Sequence, residues 1–174
     1  MQNIYIHNSI LIILPIDKFS EEEYSTVKRV FEKAGKTVFV TADSITTCTG
    51  DNGLKVGSDT SFYNINEKNF AAIVLIGGKG IDEYKDNHLL HRIINSFNNS
   101  GKVIGAICRA PVVLTNAGIL ANISATCWAE EKNELISRGI DYQDKKIVIA
   151  GNIITAEGPR SAEQFAETII NMIK

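Results

Sequence analysis

Three short apolar runs set among helical patterns constrain this chain more than any other feature. Residues 9–14 read Ser-Ile-Leu-Ile-Ile-Leu, residues 70–76 read Phe-Ala-Ala-Ile-Val-Leu-Ile, and residues 103–107 read Val-Ile-Gly-Ala-Ile. A strand with one wet face alternates apolar and polar residues. The near-continuous run at 70–76 does not alternate, as expected of a strand covered on both faces in a parallel sheet. Helical spacing fills the gaps. Tyr24, Val27, Val30, Phe31 and Ala34 share a face over residues 20–34, with Gly35 as the stop. Residues 37–40 read as the next strand. Tyr84, Leu90, Ile93, Ile94 and Phe97 share a face over roughly 82–99, and a helix over 109–117 closes at Gly118.

The last third repeats the scheme. A short strand at 123–125 precedes a helix at 129–137. Strands at 146–150 and 153–155 flank Gly151-Asn152, a type I′ hairpin signal. Pro159 then opens a helix whose face is Ala162, Phe165, Ala166, Ile169, Ile170 and Ile173, as its fixed φ allows. Residues 43–69 are polar and irregular, with short β pieces expected at 54–56 and 62–65. The pattern predicts an α/β sandwich with a mainly parallel sheet, in one domain over residues 1–174.

A chain of 174 residues can bury a sizeable core, and a net charge of -2 offers no basic surface for nucleic acid. Cys48, Cys108 and Cys127 are odd in number and irregularly spaced. This argues against a disulfide framework and for a reducing, cytoplasmic compartment. The absence of any Cys-x-x-Cys pair argues against a zinc ribbon or thioredoxin-type site. The N-terminus lacks a basic leader region, and the apolar run at 10–14 is too short to span a membrane.

Cys108 is the outstanding candidate for chemistry. It ends the strand at 103–107, and Pro111, Val112, Val113 and Leu114 follow as a helix. A nucleophile between a strand end and a helix start is held in a tight, exposed turn. The helix N-terminus behind it is expected to favour thiolate. Gly77-Gly78 ends another parallel strand, and sites in such sheets form beyond the carboxyl ends of strands. The Gly78 and Arg109 amides are therefore expected to face one point as an oxyanion hole; otherwise Gly77-Gly78 is a tight strand exit. Glu23 has two readings. Ser20-Glu21-Glu22-Glu23 is a capping box with Phe19 and Tyr24 in the staple positions. Alternatively, the helix start lies beside Cys108, and the Glu23 carboxyl, protonated, hydrogen-bonds the sulfur.

The histidines are His7, His88 and His91, and none follows Cys108. That excludes a late His of the kind a glutamine amidotransferase or an α/β-hydrolase needs. His88 and His91 share a helix face, as metal ligands can, but no third ligand is evident; they read as surface or half-buried residues, and no metal is expected. Cys127 follows the strand at 123–125 and either points to the site or is a small buried hydrophobe. Cys48 lies among hydroxyls and glycines, where it is expected to be exposed.

Three stretches together resemble the ThiJ/PfpI family of intracellular proteases and deglycases. They are Ile76-Gly77-Gly78, Ala106-Ile107-Cys108 with Pro111, and the tail from Ile149 to Pro159 with its Gly151-Asn152, Thr155 and Gly158-Pro159. The resemblance covers nearly the whole chain. It implies a flavodoxin-like three-layer sandwich with a cysteine nucleophile elbow, working as a dimer or higher oligomer. It implies Cys108 as nucleophile, Glu23 as its acid, and oxyanion donors at Gly78 and Arg109 beside Gly77, with Cys127 and Pro159 flanking the site. Two departures stand out. Arg109 replaces the His that protease-like members carry after the cysteine. Cys127 stands where glyoxalase-like members carry a His. Glu157 and Ala110 also replace a usual Arg and Gly. The activity implied is cofactor-free conversion of small reactive aldehydes, or oxidation of Cys108 by peroxide as a stress sensor. The alternatives are a cysteine peptidase or amidase, and a non-catalytic interaction module.

Overall fold

Ser9–Ile13 forms β1, buried at every position, and the rest of the molecule is arranged to cover it. The computed structural model describes residues 8–173; His7 lies outside them. In chain order, β2 is Asp17–Phe19, α1 Glu21–Lys33, β3 Thr37–Ala42, β4 Thr47–Gly50, β5 Lys55–Gly57, β6 Thr60–Ser61, β7 Ala72–Leu75 and α2 His88–Asn99. Then come β8 Val103–Ile107, α3 Pro111–Asn116, β9 Ser124–Ala125, α4 Lys132–Ser137, β10 Asp141–Tyr142, β11 Ile147–Ala150, β12 Ile153–Ala156 and α5 Ala162–Met172.

The main sheet has seven strands in the order β11-β12-β8-β7-β1-β3-β6. All its neighbours run parallel except β11 and β12, the hairpin at Gly151-Asn152. Successive side chains of a strand point to opposite faces, so an uninterrupted apolar strand feeds two cores. Ile10 and Ile12 join the core under α1 and α5, with Val27, Phe31, Phe165 and Ile169. Leu11 and Ile13 join the core under α2 and α3, with Leu90, Ile94, Val113 and Leu114. This is the three-layer flavodoxin-like sandwich. Gly105 explains the small-residue gap in β8, because Ile169 and Phe165 of α5 occupy the space a side chain would need.

Several boundaries differ from expectation. The helix expected over 82–99 is two elements, a 3-10 turn at Lys79–Tyr84 and α2, which Asn87 starts by accepting the Leu90 N–H at 2.9 Å. The 62–65 segment is a 3-10 turn, not a strand, with Phe62 edge-on to Tyr84 at 5.2 Å between centroids. Two further sheets, β2-β4-β5 and β9-β10, lie in segments whose polar composition carried no strand signal for β2, β4 or β10. The helices expected from 109 and 159 start later, at Pro111 and Ala162.

Candidate active site

Three chain segments leaving β1, β7 and β8 meet above the carboxyl edge of the sheet and bring Glu23, Gly77-Gly78 and Cys108 together. Cys108 is fixed by its backbone. Its N–H donates to Ala156 O at 2.9 Å and its carbonyl accepts the Trp128 N–H at 2.8 Å. The residue adopts φ 63, a left-handed conformation costly for a side chain other than glycine and often found where function demands it. The Ala110 N–H closes the turn on Ile107 O at 3.1 Å. The Arg109 N–H is left for the Cys108 sulfur, and the Gly78 N–H bonds the same atom.

Both glycines are required by close approach. A Cβ on Gly77 would sit 2.7 Å from the Cys108 Cβ and 2.9 Å from Glu23 Oε2. Gly78 has φ 100, and the space its side chain would take is filled by the Lys18 carbonyl and the Ser20 amide.

Glu23 begins as the capping box predicts and then departs from it. Ser20 accepts the Glu23 N–H at 3.5 Å, and Phe19 meets Tyr24 edge-on at 5.5 Å. The Ser20 N–H, which a complete box would give to Glu23, goes to Gly77 O at 3.0 Å. The Glu23 carboxyl turns inward, is 0% exposed, and accepts the Gly77 N–H on Oε2 at 2.9 Å. Oε1 is buried without a hydrogen-bond partner of its own, and the carboxyl group interacts with the Cys108 thiol. Burial pushes the Glu23 carboxyl up to about 7, against the opposing pull of the Gly77 amide and the thiol.

The thiol is pushed up as well, first by burial and then by the Glu23 carboxylate, while the Gly78 and Arg109 amides draw it down. The two acids therefore resist carrying two charges at once. When Glu23 keeps its proton, its O–H becomes a third donor toward the sulfur and the carboxylate repulsion vanishes. The expectation that a helix N-terminus stabilises a resting thiolate is corrected. The helix α3 starts only at Pro111 and runs six residues, and burial with the Glu23 carboxylate outweighs the two amides, so the resting sulfur is a thiol. Cys108 lines a cavity of about 540 Å³, with Lys18, Asp51, Arg109, Trp128 and Pro159 among its walls.

The other candidates separate from this cluster. The Arg109 guanidinium turns to Asp82 and Glu131. Cys127 lines an adjoining hollow of about 420 Å³, which shares Trp128 and Pro159 with the first. Cys48 is buried in β4, contrary to the exposure expected of it, because the strand covers it in the α1 core; burial lifts its thiol to about 11. His88 and His91 line a surface groove with Arg92 and Asn95, and among the described residues no three His, Cys, Asp or Glu side chains cluster as a metal site. Sequence reasoning missed Trp128 and Ala156 as anchors of Cys108. Both act through backbone atoms, which side-chain identity does not advertise.

Residues 8–172 match the DJ-1/PfpI family. An uncharacterized protein of Methanocaldococcus jannaschii is 36% identical over 95% of this chain and 82% of its own length. A glutathione-independent glyoxalase of Caenorhabditis elegans is 29% identical over 95% of this chain and 89% of its own. The crystal structure of a ThiJ/PfpI domain protein from Brachyspira murdochii is similar with a TM-score of 0.92 and 29% identity, covering 95% of this chain and 96% of that one.

Proposed function

The chain belongs to the DJ-1/PfpI family, and from that premise we propose that it is a cofactor-free, cysteine-dependent enzyme acting on small reactive aldehydes. The observation that carries the reading is the buried carboxyl–thiol pair with two amides directed at the same sulfur. A carboxyl whose midpoint is about 7 gives and takes protons with equal ease at neutral pH. This matters in a cavity that neither His88 nor His91 lines.

The Cys108 sulfur attacks the aldehyde carbon of a dicarbonyl such as methylglyoxal. A C–S bond forms, the carbonyl electron pair moves to oxygen, and that oxygen takes the thiol proton by way of Glu23. The Gly78 and Arg109 amides pass from the sulfur to the developing oxygen anion. Glu23 then removes the proton from the carbon bearing sulfur and returns it to the neighbouring carbon, while the hydroxyl proton of the first carbon passes to the oxygen of the second, leaving a thioester of lactate. Water cleaves the thioester, which releases lactate and restores the thiol. Cytoplasmic location and a homodimer belong to the same proposal. Support for it includes three free cysteines and the glyoxalase among the relatives. Lactate formed from methylglyoxal by the wild type and lost in Cys108→Ala is the expected result; equal lactate from both removes the proposal.

A second reading uses the same donors. Two equivalents of peroxide convert the Cys108 thiol to a sulfinic acid with release of two waters, and the Glu23 O–H with the two amides stabilises the sulfinate. A gain of two oxygens at Cys108 after mild peroxide is expected; oxidation confined to other residues excludes it. The peptidase or amidase reading is the least supported, because Arg109 holds the position after the nucleophile and its guanidinium is engaged by two carboxylates.

A further inference from the structure

Arg109 is joined to the sulfur by its backbone and to the rest of the molecule by its side chain. Its amide bonds Cys108. Its Nη2 lies 2.6 Å from Glu131 Oε1 and 3.0 Å from Asp82 Oδ2, and Nε adds a 3.4 Å bond to Asp82 Oδ1. Asp82 belongs to the 3-10 turn Lys79–Tyr84, which starts at Gly78. Glu131 ends the 3-10 turn Ala129–Glu131, which starts at Trp128. One guanidinium thus ties together the three segments that hold Cys108. The first supplies the Gly78 N–H to the sulfur, the second supplies the Arg109 N–H to the sulfur, and the third supplies the Trp128 N–H to the Cys108 carbonyl.

The pairing is not an ordinary surface contact. Glu131 is 8% exposed, Arg109 20% and Asp82, at the outer end of the cluster, 37%, and Lys85 reinforces both carboxylates at 3.3 Å. Networked ion pairs with little solvent hold geometry better than isolated exposed ones. The charge that acts on the thiol is that of Glu23, whereas Arg109 acts on it through its N–H.

We propose that Arg109, Asp82 and Glu131 are positioning residues whose ion-pair clamp keeps the Gly78 and Arg109 N–H groups converged on the Cys108 sulfur. The proposal rests on Cys108 being the reactive thiol of the site. It places Arg109 where a catalytic side chain is absent, and assigns the side chain to shaping the donors instead.

Charge separates this device from simple electrostatics. Arg109→Gln removes a positive charge near the thiol, and Asp82→Asn removes a negative one. A field effect would move the thiol in opposite directions, while loss of the clamp raises its pKa in both. The experiment is the pH profile of Cys108 alkylation by iodoacetamide in the full chain, read at that residue by peptide mass spectrometry, with thermal midpoints recorded alongside. The expected result is an upward displacement of about one pH unit in each variant, which is about tenfold slower labelling below the midpoint. Opposite displacements, or unmoved profiles with only a lower thermal midpoint, overturn the clamp while leaving Cys108 as the reactive thiol. A wild-type Cys108 that resists labelling at every pH overturns both.

Discussion

Cys108 and Cys127 make an instructive pair. Each follows a parallel strand, each is nearly sealed from solvent, and the hollows they line share Trp128 and Pro159. Their neighbours differ. Around Cys108 stand two backbone donors and a carboxyl that can hold a proton. Cys127 itself donates, to the Trp128 carbonyl at 3.3 Å. Its thiol is pushed up to about 12 by burial and then by Glu131 and Glu134, which form ion pairs with Arg109 and Lys85. At Cys108 the carboxylate repulsion disappears when Glu23 is protonated and burial remains; at Cys127 two carboxylates add to burial and, among the described residues, no donor faces the sulfur in return. Burial alone does not determine whether a thiol is inert: the direction of the surrounding hydrogen bonds does.

The contrast can be broken most severely at Glu23. Its folded midpoint of about 7 lies above the ordinary carboxyl value of 4.5, so the folded chain keeps a proton that the unfolded chain releases. The stabilisation this brings is whole below pH 4.5 and is lost as pH rises through 7. At about 1.4 kcal/mol for each pH unit between the two midpoints, wild type should lose about 3 kcal/mol over that window relative to Glu23→Gln. Urea titrations at pH 4.5 and 8 measure it, and parallel curves for the two proteins would mean the carboxyl is not held neutral. A smaller effect is expected at Gly77, where a methyl would press on both the Cys108 Cβ and Glu23. Gly77→Ala should cost about 2 kcal/mol by overpacking and slow Cys108 alkylation, whereas Cys127 keeps its wild-type reactivity. Equal changes at both thiols would erase the distinction. The smallest effect belongs to Cys127→Ala. It should cost about 1 kcal/mol for the lost buried sulfur and leave the Cys108 pH profile in place, as thermal melts and peptide-resolved labelling would show.

The sheet was legible from residue order because a parallel strand covered on both faces has an unmistakable composition, as in β1 and β7. The hairpin at Gly151-Asn152 was legible from turn chemistry. β2, β4 and β10 were not, since each is short and its pairing comes from partners distant in sequence. Cys108, Gly77 and Gly78 were found as strand ends, and the convergence of the Gly78 and Arg109 amides followed from the same rule. Glu23 shows where such reasoning stops: a capping box accounts for its presence at the third helical position as well as a site does. Only the chain passing over it, with Gly77 O taking the Ser20 N–H, released the carboxyl to turn inward.

Amino-acid order by itself determined the alternation of strand and helix, the apolar residues of both cores, and which residues leave the carboxyl edge of the sheet. These follow from side-chain periodicity and local backbone preference, which act over a few neighbouring residues. Tertiary structure alone decided that the Glu23 carboxyl hydrogen-bonds the Cys108 thiol, that the Arg109 guanidinium turns to Asp82 and Glu131, and that Cys127 lies in the neighbouring hollow. Protonation and hydrogen-bond direction depend on distances of about 3 Å between groups brought together from separate parts of the chain, and no local pattern encodes such distances.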